Sequence, residues 1–214
     1  MAISTCPAFE QWLSTQSLGL RESAGRFSID PDGARRSGIP PLQLHDVPLL
    51  VLAAAIEGGC QAFAVHDGDS PGFEWCGPRL GPSADLAASL LTAHGVDAAW
   101  RRGSLELPPF FSDRLGPLAR RCRHAPLTLF WNGARVTEPV AVPSVKLTVS
   151  PRSRLLLVDR GIDFVFPAAL PGLDVIAWVP PQLGAPWPRQ LAWGPTLAST
   201  LRRVLETVQE ATRS

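Results

Sequence analysis

Hydrophobic residues dominate residues 42–65, LQLHDVPLLVLAAAIEGGCQAFAV, and this stretch divides into two elements. Asp46 followed by Pro48 is typical of a helix N-terminus, where a capping side chain precedes a proline in the first turn. The Gly58-Gly59 pair then interrupts the apolar run, as glycines commonly do where a helix ends. Residues 60–66 alternate in polarity with a period of two, which is the pattern of a strand. We therefore predict a capped, almost wholly apolar helix that leads into a strand.

The rest of the chain shows the same two kinds of pattern. Asn132-Gly133 and Arg160-Gly161 are typical of tight hairpin turns. Alternation between turn residues predicts strands at residues 73–76, 98–101, 104–107, 127–131, 135–137, 145–149, 154–159, 162–166 and 173–179. Helical spacing predicts helices from Ser83 to about residue 94 with Leu86, Leu90 and Leu91 as the apolar face, from Asp113 to 123, and over 197–211. Near the N-terminus we predict a helix after Pro7, a strand at 25–29 and a small helix that ends at Gly38. The fold class expected from these elements is α/β, in detail α+β.

The succession of predicted helices and strands changes near residues 138–144, TEPVAVP. Helices and strands alternate before this stretch, whereas strands dominate after it until the last helix. We expect two domains, residues 1–139 and residues 140–214.

Composition limits the classes of function. The chain has 214 residues, 45% of them hydrophobic and 18% charged, with a formal net charge of +1. This balance supports a packed core but gives no global attraction to nucleic acid or to an anionic membrane. The N-terminus has no basic segment followed by an apolar stretch, and the longest apolar run is about half of what a membrane-spanning helix needs. The four cysteines form no CxxC pair, and no histidine lies at a metal-ligand spacing from any of them. We expect a cytoplasmic protein without a metal site.

One stretch carries a resemblance to a known superfamily. Residues 25–65, GRFSIDPDGARRSGIPPLQLHDVPLLVLAAAIEGGCQAFAV, resemble the N-terminal part of GHKL-type ATPase domains, which occur in gyrase, MutL, histidine kinases and the large heat-shock chaperones. The likeness is closer to bacterial heat-shock-chaperone-like proteins. Residues 153–179, SRLLLVDRGIDFVFPAALPGLDVIAWV, resemble the start of the transducer-type domain that follows the ATPase domain in the chaperones. The resemblance spans about residues 25–210 and implies helices packed on a mixed sheet, followed by a smaller transducer-like α/β domain.

The nucleotide-binding residues of that superfamily have no polar counterparts in this chain. A GHKL site needs a carboxylate on the first long helix and an Asn one turn later that holds magnesium, and the resemblance places Leu50 and Ala54 at these positions. Neither side chain has an oxygen atom to offer the metal. The Asp-and-glycine motif that follows corresponds to residues 73–77, FEWCG, where Gly77 matches and the Asp is missing. Residues 77–107 contain no glycine cluster to serve as a phosphate lid. The resemblance thus implies degenerate nucleotide positions and no cofactor.

Several other residues allow two interpretations. Glu57 is the only acid on the predicted long helix, and it is either a displaced catalytic carboxylate or a solvated residue of the last turn. His66, Asp67 and Asp69 in HDGDSPG form either a small cation site or a polar hairpin turn.

Arg120, Arg121 and Arg123 form either a phosphate or nucleic-acid patch, or cations that favour the C-terminal end of a helix dipole. Trp187 and Trp193 flank a proline-rich stretch and are either exposed interface anchors or part of the core of the second domain.

The function predicted from these observations is that of a non-catalytic pseudo-ATPase, a protein-interaction or scaffold module in a bacterial multi-protein system, with another protein as its partner. The first alternative is a diverged ATP-binding or ATP-hydrolysing chaperone-like ATPase that uses Glu57 or Asp67. The second is a phosphate or nucleic-acid binder that uses the arginine cluster, although nucleic acid is disfavoured by the nearly neutral charge.

Overall fold

A computed structural model describes residues 42–137, 140–141, 144–166, 170–180 and 194–213. The elements predicted around Pro7, at 25–29 and before Gly38 lie outside these residues. The described residues from Gln43 onward belong to one compact unit, Gln43–Ser214. The proposed division between residues 139 and 140 falls within this unit and stays a prediction.

Four helices are present in the described part of the chain. They are α1 (Val47–Glu57), α2 (Ser83–Ala93), α3 (Gly116–Arg121) and α4 (Pro195–Arg213), and short 3-10 turns precede α1 at Leu44–Asp46 and α3 at Pro109–Arg114. No helix among the described residues combines the length and the apolar character needed to cross a bilayer.

The first sheet has six strands in the order β3-β4-β2-β1-β5-β6. Only β1 and β5 run parallel, and the other neighbours are antiparallel. The strands are β1 (Ala62–His66), β2 (Gly72–Cys76), β3 (Ala99–Arg101), β4 (Ser104–Glu106), β5 (Thr128–Trp131) and β6 (Ala134–Arg135).

The second sheet has four strands in the order β7-β10-β8-β9, again with one parallel pair, β10 and β8. Its strands are β7 (Val145–Val149), β8 (Arg154–Asp159), β9 (Ile162–Val165) and β10 (Leu173–Val179). Two mixed sheets together with four helices confirm the expected α+β fold class.

Local sequence explains two tight hairpin turns. Asn132 and Gly133 between β5 and β6 have φ angles of 46° and 80°, and Arg160 and Gly161 between β8 and β9 have φ angles of 46° and 77°. Positive φ at both central residues is the geometry of the hairpin turn that matches the twist of the flanking strands. Both predicted hairpins are therefore confirmed.

The core of the first sheet is built on α1. Every residue from Val47 to Ala55 is buried, so this helix has neighbours on all sides. The sheet contributes buried side chains at alternate strand positions, Phe63, Val65, Phe73, Leu105 and Leu129, which share one face because side chains alternate along a strand. In the second sheet, α4 lies against β10 and β7 and buries Leu201, Val204 and Val208, which share one face of the helix.

Two predictions about helices were wrong in detail. Leu91 is buried as predicted, but Leu86 is 48% exposed, and Ser83 and Ala87 complete the buried face of α2. The reason is a hydrogen bond from Ser83 to Glu57, which turns the i, i+4, i+8 face that starts at Ser83 toward α1.

The helix expected from Asp113 to residue 123 is also divided. A 3-10 turn ends at Arg114, and α3 starts at Gly116, with Pro117 in its first turn. Proline in a helix interior removes a hydrogen bond and clashes with the preceding turn, so Pro117 forces the α-helix to begin beside it.

Candidate functional site

The two positions that the resemblance assigns to nucleotide-binding residues lie in the interior of the protein. Leu50 and Ala54 on α1 are both 0% exposed. The carbonyl oxygen of Ala54 accepts hydrogen bonds from the backbone N–H of Gly58 at 2.9 Å and from that of Gly81 at 2.7 Å. A nucleotide would have to displace packed protein to contact either side chain.

The loop that follows β2 closes tightly over the end of α1. A Cβ atom at Gly77 would lie 2.5 Å from the Sγ atom of Cys60 and 2.8 Å from its Cα atom. A Cβ atom at Gly81 would collide with the Cβ atom of Glu57. Glycine is thus required here for close approach of two segments, which explains Gly77 without a ligand.

Glu57 at the end of α1 is the centre of a buried polar cluster that sequence reasoning did not foresee. Its Oε1 atom accepts from the Ser83 hydroxyl at 2.8 Å and from Nη1 of Arg160 at 3.0 Å, and its Oε2 atom accepts from the Ser83 N–H at 2.9 Å. Nε of Arg160 also donates to Oδ1 of Asp159 at 3.3 Å. The side chains of Glu57 and Arg160 are 8% and 5% exposed, so the expectation of a solvated Glu57 was wrong. The reason is a partner 103 residues away in the sequence, which no local pattern indicates.

This cluster contains more carboxylates than a simple ion pair between one acid and one base. Among the described residues, two carboxylates, Glu57 and Asp159, contact the guanidinium group of Arg160, and the Asp159 side chain is only 1% exposed. Burial raises the pKa of Asp159, the charge of Arg160 opposes that shift, and the nearby Glu57 adds to it. Because Glu57 already accepts three hydrogen bonds, its geometry suits a structural ion pair better than a base that must receive a proton from a substrate.

A cavity of about 300 Å³ lies beside this cluster, between the end of α1 and the second sheet. Arg160 and Gly161 of the β8–β9 turn form part of its wall, and Cys60 lies at another part. Burial raises the pKa of the Cys60 thiol, and the neighbouring Cys76 adds to this effect. Most of the remaining wall is apolar, from Ile56, Leu127, Val140, Val158, Trp178 and Val179.

The turn at residues 67–71 is held by hydrogen bonds to the β5–β6 turn and to the 3-10 turn that precedes α3. The N–H of Asp67 donates to Oδ1 of Asn132 at 2.7 Å, and the hydroxyl of Ser112 donates to the carbonyl of Gly68 at 2.7 Å. Asp67 and Asp69 are exposed. Among the residues that the structure describes, no group of three or more His, Cys, Asp or Glu side chains is arranged to hold a metal ion. The polar-turn interpretation accounts for these contacts.

The predicted arginine cluster has three different surroundings. The guanidinium of Arg120 lies beside Gly116 at the start of α3. The guanidinium of Arg121 lies over the ring of Phe164 with 5.2 Å between Cζ and the ring centroid, and burial lowers the pKa of Arg121. Arg123 is exposed. A shared phosphate-binding patch stays a prediction, and these separate contacts give it no support.

A contact between a histidine and a carboxylate was also missed by the sequence analysis. Nδ1 of His124 lies 2.8 Å from Oδ2 of Asp163, and Nε1 of Trp178 donates to the His124 carbonyl at 2.7 Å. These contacts hold the segment after α3 against the second sheet. The adjacent Cys122 thiol is fully buried and its pKa is raised by desolvation, so it lacks the thiolate character of a nucleophile.

Trp187 and Trp193 lie outside the described residues, and their proposed role as partner contacts stays a prediction. Comparison with known proteins finds no family model that matches the chain and no curated protein with significant similarity to it. The resemblance to GHKL domains therefore stays a prediction from the residues quoted above.

Proposed function

We propose that this chain is a non-catalytic, GHKL-like pseudo-ATPase that acts as a protein-interaction or scaffold module in a bacterial cytoplasm. The observation that carries the proposal is the complete burial of Leu50 and Ala54 on α1. These positions correspond to the carboxylate and the Asn of the GHKL site, and here they are apolar core residues. A magnesium nucleotide needs oxygen ligands and open space, and these two positions supply neither.

The state of the only acid on α1 supports the same proposal. Glu57 is oriented by Ser83 and Arg160 and is almost completely removed from solvent. If it were to activate a water molecule, at least one of these hydrogen bonds would have to be given up. The alternative of a displaced catalytic carboxylate thus carries an energetic cost that the scaffold proposal avoids.

The proposed mode of action is geometric. In a switching ATPase, the nucleotide has different affinities for two conformations and so shifts the population between them. A domain whose corresponding positions are filled by its own side chains has no such ligand, and it presents one surface to its partner. The proposed partner is another protein, bound without ATP-dependent cycling.

Isothermal titration with ATP and with ADP, each with and without magnesium, tests the pseudo-ATPase part. We expect no saturable heat under conditions in which an active GHKL domain, run as the positive control, binds nucleotide. Micromolar binding of either nucleotide would contradict the proposal. If that binding came with ATP turnover that disappears in a Glu57→Ala variant but not in an Asp67→Ala variant, the diverged-ATPase alternative with Glu57 as the base would replace it.

The interaction part needs a separate, positive measurement. A protein that co-purifies with the chain from its own cells should, once purified, bind the chain with the same affinity in the presence and absence of ATP and magnesium. An affinity that changes with ATP would show that a nucleotide switch has been retained.

A further inference from the structure

We propose that the cavity between the end of α1 and the second sheet is a binding site for a small neutral molecule of aromatic or cyclic aliphatic character. This inference does not depend on the proposed function, because it concerns a different face of α1 from the one that holds Leu50 and Ala54. It rests on the size of the cavity, on the chemistry of its wall and on the charges behind that wall.

The size of the cavity sets the size of the ligand. Its volume is about 300 Å³. An apolar cavity of roughly 150 Å³ in a protein core is known to bind benzene. Twice that volume fits two fused rings, and it lies at the lower end of the roughly 300–1,000 Å³ typical of small-molecule sites.

The cavity wall carries aliphatic and aromatic side chains besides its polar end at Arg160, and the aromatic one is held in place. Val158 and Trp178 are cross-strand neighbours on β8 and β10, so their side chains lie on the same face of the second sheet. Nε1 of Trp178 donates a hydrogen bond to the carbonyl oxygen of His124, with 2.7 Å between the two atoms, and this bond fixes the orientation of the indole ring. A ligand therefore meets an ordered aromatic ring, and little side-chain freedom is lost on binding.

The charges at the polar end select against an anion. Among the lining residues that the structure describes, Arg160 is the one charged side chain, and its guanidinium contacts Glu57 at 3.0 Å and Asp159 at 3.3 Å. An anionic ligand beside Arg160 would bring a third negative group to a single cation. Like charges that close together in a partly buried site repel strongly, so a neutral molecule is favoured over its anionic analogue.

Nuclear magnetic resonance on the full, unmodified chain tests the site directly, with indole as the probe. The Nε1–H signal of Trp178 is assigned by its loss in a Trp178→Phe variant, and Trp75 and Trp100, which contact each other and lie outside the cavity wall, serve as internal controls. We expect indole to shift the Trp178 signal saturably, with a dissociation constant of about 1 mM or below, and to leave the two control signals in place. A Trp178 signal that does not move, or that moves only together with both controls, would overturn the proposal.

A matched pair of variants then checks the location. Val158→Phe adds a ring to the wall, whereas Val149→Phe makes the same change at an edge-strand position that is 87% exposed. We expect Val158→Phe to weaken indole binding at least about tenfold and Val149→Phe to leave it unchanged. Unchanged binding in a folded Val158→Phe protein would contradict the assignment, and if that variant does not fold, the titration of the unmodified chain decides.

The charge argument has its own test. Indole-3-acetate has the same ring system as indole but carries one negative charge. We expect it to bind at least about tenfold more weakly than indole at neutral pH. Equal or tighter binding of the anion would refute the proposed selection for neutral ligands.

Discussion

Removal of the Glu57 carboxylate is expected to be the most damaging single change in the cluster that links α1 to the second sheet. A Glu57→Ala variant removes the carboxylate oxygen that accepts a hydrogen bond from Nη1 of Arg160. It also removes the acceptors of the hydrogen bonds that the N–H and the hydroxyl of Ser83 donate to Glu57. The side chains of Glu57 and Arg160 are 8% and 5% exposed, so water replaces the carboxylate only if the structure opens. The change therefore leaves an incompletely compensated charge inside the protein.

The size of the effect follows from the burial. Removing one partner of a buried ion pair costs about 3–5 kcal/mol. The Arg101–Glu106 pair is a suitable control, because its N–O distance of 3.2 Å is similar but its side chains are 66% and 57% exposed. For such an exposed pair, a Glu106→Ala change is expected to cost about 0–1 kcal/mol.

Denaturant unfolding of the unmodified chain and its variants at neutral pH measures these differences. We expect Glu57→Ala to lower the free energy of unfolding by about 3–5 kcal/mol relative to the unmodified chain, a large part of the roughly 5–15 kcal/mol typical of a folded domain. An Arg160→Asn change, which keeps a residue that tolerates positive φ, should couple to Glu57→Ala by more than about 1 kcal/mol in a double-mutant cycle. If Glu57→Ala is no more destabilising than Glu106→Ala, or if the two changes in the cluster are additive, the cluster does not hold α1 to the second sheet.

Two further predictions concern the packing of a loop and the dependence on pH. Gly81→Ala should lower stability by about 1–3 kcal/mol in thermal unfolding, because the new Cβ atom collides with the Cβ atom of Glu57. The control variant Gly116→Ala should be nearly neutral, because its Cβ atom meets only the far end of an arginine side chain. Equal effects of the two substitutions would contradict the close approach of Gly81 to α1. The hydrogen bonds from Arg154 lower the pKa of Asp174 from its ordinary value of 3.8. The folded state therefore binds fewer protons than the unfolded state near this pH, and the ion pair stabilises the fold. That stabilisation is present above pH 3.8 and is lost as the pH falls through the pKa of the folded state. An Asp174→Asn variant should accordingly lose less stability than the unmodified chain in acid unfolding below pH 3.8, and an identical acid profile would argue against the pair.

Local patterns were sufficient for most of the secondary structure. The strands at 145–149, 154–159 and 173–179 agree with the structure residue for residue, because alternation and flanking turn residues act within a few positions of each other. The two hairpin turns were predictable for the same reason. The helix expected from Asp113 begins only at Gly116, because Pro117 is a competing signal that favours the first turn of a helix over its interior.

For the candidate sites too, some properties follow from the residue types alone and others depend on tertiary packing. The sequence by itself determined that the side chains of Leu50 and Ala54 have no oxygen atoms, and this property of the residue types holds in any fold. Only the tertiary structure decided that both lie in the core, that Glu57 is paired with Arg160 across 103 residues, and that a cavity lies beside this pair. Hydrophobic periodicity indicates which face of one element is buried, but it carries no information on which distant element covers that face. The buried cluster and the cavity both depend on which distant elements pack together, so only the tertiary structure could show them.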